Sequence, residues 1–197
     1  MSISAIEAEL ILAAESLRAT LSVYFPGTPG LDGRDLKERN LTAHFSSVLL
    51  ESGFYVWHEA LVSPARPYDS LDLLALSRDC SYLIKGEAKR IYKPEKFQEV
   101  RDDIVKMDAF TPFGEYAKRL PAKQFSVLLL SCWAPEGDRF PRKWLGEQFP
   151  EYGTLWSAFA DEFVPGKWAR GGQQVFADGQ NKLWFLWAIR NDSSEGE

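Results

Sequence analysis

Cysteine is scarce in this chain: Cys80 and Cys132 are the only two in 197 residues. Two thiols cannot build a disulfide scaffold, and neither has a second Cys or a His nearby at zinc spacing, so a stapled small fold and a zinc finger are both excluded. Both are expected as reduced core thiols. Positive charge is in deficit, with 23 Lys and Arg against 28 Asp and Glu, a formal net charge of −5. No global field draws such a surface to nucleic acid or to an anionic membrane, and any contact of that kind must come from a local patch. Long apolar runs are missing too; none reaches the roughly 18 residues that a membrane-spanning helix needs. The opening "MSISAIEAELILAAESL" carries Glu7 and Glu9 where a secretory signal has a positive n-region. It reads as a helix, no segment reads as a lipidation signal, and the expected location is cytoplasmic, with no membrane partner.

What is present is a core: 45% of the residues are hydrophobic and 14% aromatic. That supports a single domain over residues 1–191, with "NDSSEGE" largely an acidic flexible tail from 192 to 197. Ile6, Leu10, Ala13, Leu17, Leu21 and Tyr24 recur at helical spacing over residues 4–24, and "FPGTPGLDG" ends that helix. Asp35 is a candidate cap for a second helix to about Ser52, with Leu41, Phe45, Val48 and Leu49 in one stripe and Gly53 at its exit. "FYVWHEALV" (54–62), "YDSLDLLAL" (68–76) and "SYLIKGEAK" (81–89) read as an antiparallel meander. Pro94 then opens a helix to about Phe110, with Phe97, Val100, Ile104 and Met107 on one face. "QFSVLLLSCW" (124–133) follows as a continuous apolar strand of the kind buried on both sides. The helix between is the crossover of a parallel pair. The fold class is therefore α/β, a core of order αβββαβ over about 35–133 with an extra N-terminal helix. A Trp-rich extension over 134–191 contributes two short helices near 141–149 and 153–163, a Gly-rich loop at "KWARGGQQ" and a last strand "KLWFLWAIR".

The charges of the meander are out of place for a sheet core. If the turn between the second and third strands is centred between Asp79 and Cys80, Asp72 and Glu87 oppose each other across one rung. Like charges so placed are destabilising unless a proton or a cation lies between them, so the pair implies either a protonated carboxyl or a metal ion. Lys89, two residues beyond Glu87, emerges on the same face. Glu38 falls inside the stripe of Leu41, Phe45 and Leu49, an odd place for an acid unless it points at the sheet or a cleft beside it.

Glu38 on a helix, Asp72 on a strand and "GEAK" on the next strand, in this order of elements, resemble the PD-(D/E)XK nuclease superfamily, over roughly residues 35–133. The residue before Asp72 is Leu71 rather than the proline of the motif. The resemblance implies a restriction-endonuclease-like, three-layer core with a mixed sheet. It implies Mg²⁺, or Mn²⁺, held by Asp72, Glu87 and the backbone carbonyl of Ala88, with Glu38 as a further ligand. Lys89 would position or help deprotonate the attacking water, and the reaction would be hydrolysis of a phosphodiester in nucleic acid, DNA by default, by an endo- or exonuclease.

Other residues carry weaker signals. Tyr92 and Gln98 follow the motif and are candidate substrate contacts, as are Lys167 and Arg170 in the Gly-rich segment. Six of the seven tryptophans lie in the final third, mixed with bases; they either stack on a single strand or pack a C-terminal core over the sheet, and packing is the expectation. Asp69 is expected in the turn before its strand and is otherwise a secondary ligand candidate; Glu59 is expected as an exposed strand-end acid, the alternative being a place at the border of the cleft, and His44 and His58 in structural or solvent-facing positions. No separate sequence-reading domain is visible, so specificity would come from the C-terminal part, a homodimer or a partner protein. Two other readings stand beside the nuclease: a catalytically inactive binding or protein-interaction module on the same fold, and a generic α/β domain in which Glu38 and Lys89 neutralise Asp72 and Glu87 as a buried network.

Overall fold

In the computed structural model, the described residues are 1–24, 36–111, 121, 123–135, 139–147, 154–163, 166–179 and 181–193. Asp35, all of "FPGTPGLDG" and the end of the acidic tail lie outside them. The elements run α1 (Ile3–Tyr24), α2 (Glu38–Glu51), β1 (Phe54–Ser63), β2 (Arg66–Ser77), β3 (Tyr82–Ile91), α3 (Lys96–Asp108) and β4 (Lys123–Pro135). They continue with α4 (Phe140–Trp144), α5 (Thr154–Glu162), β5 (Ala169–Asp178) and β6 (Asn181–Asn191). One six-stranded mixed sheet has the order β1-β2-β3-β4-β6-β5, antiparallel throughout except for the parallel pair β3 and β4. The meander, the crossover helix and the doubly buried fourth strand are thus as the sequence leads one to expect.

Two apolar clusters cover the sheet. On one face Ile6, Leu10 and Leu17 of α1 and Leu41, Phe45 and Leu49 of α2 pack on Leu73, Ile84, Val127 and Leu129. On the other, Phe97, Val100 and Met107 of α3 join Leu128, Leu130, Phe140 and Phe159. Each such side chain, fully withdrawn from water, contributes about 1.5–3 kcal/mol, and the alternation along β4 explains why that strand reads as unbroken hydrophobicity. No described helix is long and apolar enough to cross a membrane.

Four expectations need correction. The residue at the α2 N-cap is Lys37, with no side-chain hydrogen bond to the helix. Cys80 is exposed and sits at φ +56 in the β2–β3 turn, where Asp79 and Ser77 satisfy the turn amides; only Cys132 is buried. Asp69 lies within β2, in an exposed pair with Arg66 at 3.8 Å. The "ARGGQQ" segment is strand β5, and its glycines are there because β6 lies against them: a Cβ on Gly171 would run into the Trp187 ring, and one on Gly172 would meet Leu186 Cδ2. The C-terminal third thus extends the sheet by two strands, with Trp144, Trp168 and Trp187 buried on it.

Besides register shifts between Leu61 and Ser63 on β1 and between Gln174 and Phe176 on β5, two strands of the sheet turn over. Val56 and Leu73 face the α1/α2 side, whereas Val62 and Leu71, of matching parity, belong to the α3 side. Residues two apart on a regular strand share a face, so both strands turn over between these positions. The turnover falls at Glu59, held at φ +53, and at Asp72 opposite it.

Candidate active site

Where β2 turns over, it leaves β3. Their ladder runs from Leu76↔Leu83 to Leu73↔Gly86, the register in which Asp72 and Glu87 form the next rung. Beyond that point β3 is served by side chains. Asp72 Oδ2 accepts from the Ala88 N–H at 2.8 Å, and Glu38 Oε1, reaching in from the first turn of α2, accepts from the Arg90 N–H at 3.0 Å. Buried backbone donors must be satisfied, and a carboxylate does this with charge-assisted strength. Two of the misplaced acids therefore close the open side of β3, and both keep further lone pairs.

Glu87 and Lys89 emerge on the other face, under α3. Glu87 is 1% exposed. Lys106, from the last turn of α3, brings its ammonium to 2.8 Å from Oε1. Lys106 also lies 3.4 Å from Asp103 Oδ1, and Lys89 lies 3.1 Å from Asp103 Oδ2 and 3.7 Å from Glu99. A chain of alternating charge thus runs from Glu87 to the surface, where Lys96 meets Glu99 at 2.6 Å.

The electrostatics follow from burial. Withdrawal from water, reinforced by the charge of Asp72, pushes the Glu87 carboxyl up to about 9 despite the pull of Lys106. Burial likewise raises Asp103 against the two lysines beside it. Burial works to discharge Lys89 and Lys106, yet the acids around them win and raise both above the ordinary lysine value. Lys89 is therefore held as an ammonium, able to stabilise negative charge but poorly placed to accept a proton.

A cleft of about 840 Å³ opens beside Asp72 and Glu38 and is also lined by Lys37, His58, Glu59 and Arg90. Glu59 borders it, from mid-strand rather than a strand end. His58 is structural: it faces the Asp72 carbonyl at 3.2 Å and the Ser46 hydroxyl at 3.1 Å, tying β1 to α2. His44 meets Ser16 at 2.9 Å between α2 and α1. Past Lys89, the half-exposed Tyr92 ring has Arg90, Lys93 and Lys96 at 5.0, 5.8 and 5.6 Å from its centroid. Gln98 is exposed and bonded to Asp102 at 2.9 Å. Lys167 and Arg170 lie at the far edge of the sheet, three strands from β3; Arg170 turns inward to the Ala160 carbonyl at 2.7 Å and over the Trp144 ring.

The fold thus splits the expected set: Asp72 and Glu38 line the cleft and hold the edge of β3, Glu87 and Lys89 lie under α3 outside the cleft lining, and Lys167 and Arg170 are away from both. Sequence reasoning missed Lys106 and Asp103. Asp103 borders the apolar stripe of α3, the same kind of anomaly that exposes Glu38; Lys106 lies off that stripe and gives no such signal.

Among the described residues no three Asp, Glu, His or Cys side chains converge on one point as a ready metal cage. The donor types nevertheless suit a hard cation: the carboxylates of Asp72 and Glu38, the Ala88 carbonyl, and the buried Glu87 Oε1, against which an ammonium already stands. No protein-family model, curated protein or solved structure matches the chain.

Proposed function

We propose that this chain is a metal-dependent nuclease of the PD-(D/E)XK type that hydrolyses phosphodiester bonds in nucleic acid, with DNA the first substrate to test. The observation that supports the reading is the register of the β2–β3 ladder, whose continuation beyond Leu73↔Gly86 would set Asp72 against Glu87, with the Asp72 charge felt at Glu87 and the Glu38 charge felt at Lys89. Asp72, Glu87, the Ala88 carbonyl and Glu38 would hold Mg²⁺ or Mn²⁺, which supplies Lewis-acid polarisation of a phosphoryl oxygen and a hydroxide at neutral pH. The chain's own residues do the rest. Lys89, held charged, offsets negative charge building on the scissile phosphate. The cleft beside Asp72 admits the strand. Arg90, Lys93 and the Tyr92 face form a local basic and aromatic patch on an otherwise acidic protein, suited to a phosphate and a base.

The C-terminal tryptophans take no part in this reading, because they are packed. Among the described residues the exposed aromatics are Tyr55 and Trp57 on the edge strand β1, Tyr68 on β2, and Tyr92. Sequence specificity, a homodimer or a partner protein would have to come from such surfaces.

The test is incubation of plasmid, linear duplex and single-stranded DNA with Mg²⁺ or Mn²⁺, run beside Asp72→Asn and Glu87→Gln. Each substitution should lower metal-dependent cleavage by at least about a hundredfold with the fold intact by circular dichroism. Equal cleavage by the wild type and both variants would reject the assignment.

A binding or interaction module on this fold is the second reading, favoured by the Lys106 ammonium already seated on Glu87. A chain that takes up neither ion by titration calorimetry, with or without DNA, supports the module.

A further inference from the structure

Lys106 is the one cation in contact with Glu87 among the described residues, and its position has a use if Glu87 is a metal ligand. We infer that Lys106 is a built-in competing cation, seated against Glu87 when the chain is metal-free and moved to Asp103 when a divalent ion enters. The inference rests on the proposed metal site and adds a gate to it.

Three features support it. The Glu87 side chain is 2% exposed while Lys106 is 22% exposed, so the acid is fixed in the interior and the base stands at the solvent edge, free to turn away. A second seat is already present one helical turn back, where Asp103 Oδ1 lies 3.4 Å from Nζ, so the ammonium can leave Glu87 without entering water alone. Asp103 keeps Lys89 on its other oxygen at 3.1 Å, so the move leaves Lys89 in place. An ammonium 2.8 Å from Oε1 and a divalent cation on the same oxygen repel at close range, and burial strengthens that repulsion. Binding and release are then linked: whatever holds Lys106 on Glu87 weakens the ion, and whatever accepts Lys106 elsewhere strengthens it.

The experiment is a double-mutant cycle on Mn²⁺ affinity, read by titration calorimetry without DNA, on the wild type, Lys106→Met, Asp103→Asn and the double variant. Lys106→Met should bind Mn²⁺ roughly tenfold tighter than wild type. Asp103→Asn should weaken binding in the wild-type background and do so by a clearly smaller factor when Lys106 is already gone, because the seat then has no occupant. Effects that multiply independently, or a Lys106→Met protein with unchanged or weaker affinity, overturn the inference. If no protein of the four takes up Mn²⁺, the metal site itself falls; if the wild type binds and Lys106 is immaterial, only the gate falls. Lys106→Gln takes the place of the Met variant should the latter not fold, with the same readings.

Discussion

Lys85 and Glu87 are two residues apart on one strand, face the same way and are almost equally buried, yet their surroundings differ in kind. Lys85 enters a closed polar ring. Its ammonium meets Asp192 at 2.8 Å and the Met107 carbonyl at 3.2 Å; Asp192 takes Ser126 at 2.6 Å on one oxygen and Arg190 on the other, and Arg190 reaches on to Asp108. Every charge there has its opposite and its hydrogen bonds. At Glu87 the Asp72 charge adds repulsion, and among the described residues a single ammonium, shared with Asp103, stands against a carboxyl held far above its usual range by burial. A finished network stabilises a fold; an unfinished one at the same depth marks a place where a cation or proton is still needed.

The difference can be broken experimentally, the strongest effect coming from the finished side. Lys85→Met removes one of the two cations on Asp192 and the donor to the Met107 carbonyl, and should cost about 1.5–3 kcal/mol by urea unfolding, while the protein that remains folded keeps its metal-dependent cleavage. Glu87→Gln should show the reverse pattern, cleavage lost and stability kept. If both variants lose stability equally and neither changes cleavage, the two ends of β3 are equivalent and Glu87 is structural.

A second test uses pH. Because the folded chain raises Glu87 from 4.5 to about 9, it retains a proton that the unfolded chain releases, and stability from this group falls as pH rises through that window. Without metal, the wild type should lose several degrees in Tm relative to Glu87→Gln between pH 5 and pH 9, at about 2–4 °C per kcal/mol for a chain of this size. Parallel curves would make Glu87 an ordinary carboxylate. A smaller effect is expected at Gly86, between the two ends: a Cβ there would lie 3.0 Å from Leu73 Cδ2 and 3.1 Å from Leu73 Cβ. Gly86→Ala should therefore cost about 1–3 kcal/mol, and no loss would show that β2 can shift at its divergence point.

Much of this was legible in the sequence for a definite reason. Register in a hairpin follows from its turn, so centring the turn on Asp79 and Cys80 sets Asp72 against Glu87, and the ladder has that register. Periodicity likewise placed Glu38 in an apolar stripe. Features that depend on a neighbour distant in the chain were hidden: Gly171 and Gly172 read as a loop because nothing local says that Trp187 and Leu186 lie across from them. Lys106 was invisible for the same reason, since a solvent-side lysine declares its partner only once α3 is laid on β3. The turnover at Glu59 also escaped pattern reading, a positive φ in mid-strand being a choice that alternation does not record.

The most direct test of the central claim is an anomalous difference map from crystals grown with Mn²⁺. The expected result is a peak between Asp72 and Glu87, with the Lys106 ammonium withdrawn to Asp103. A map without that peak at saturating Mn²⁺, and with Lys106 still seated on Glu87, would contradict it.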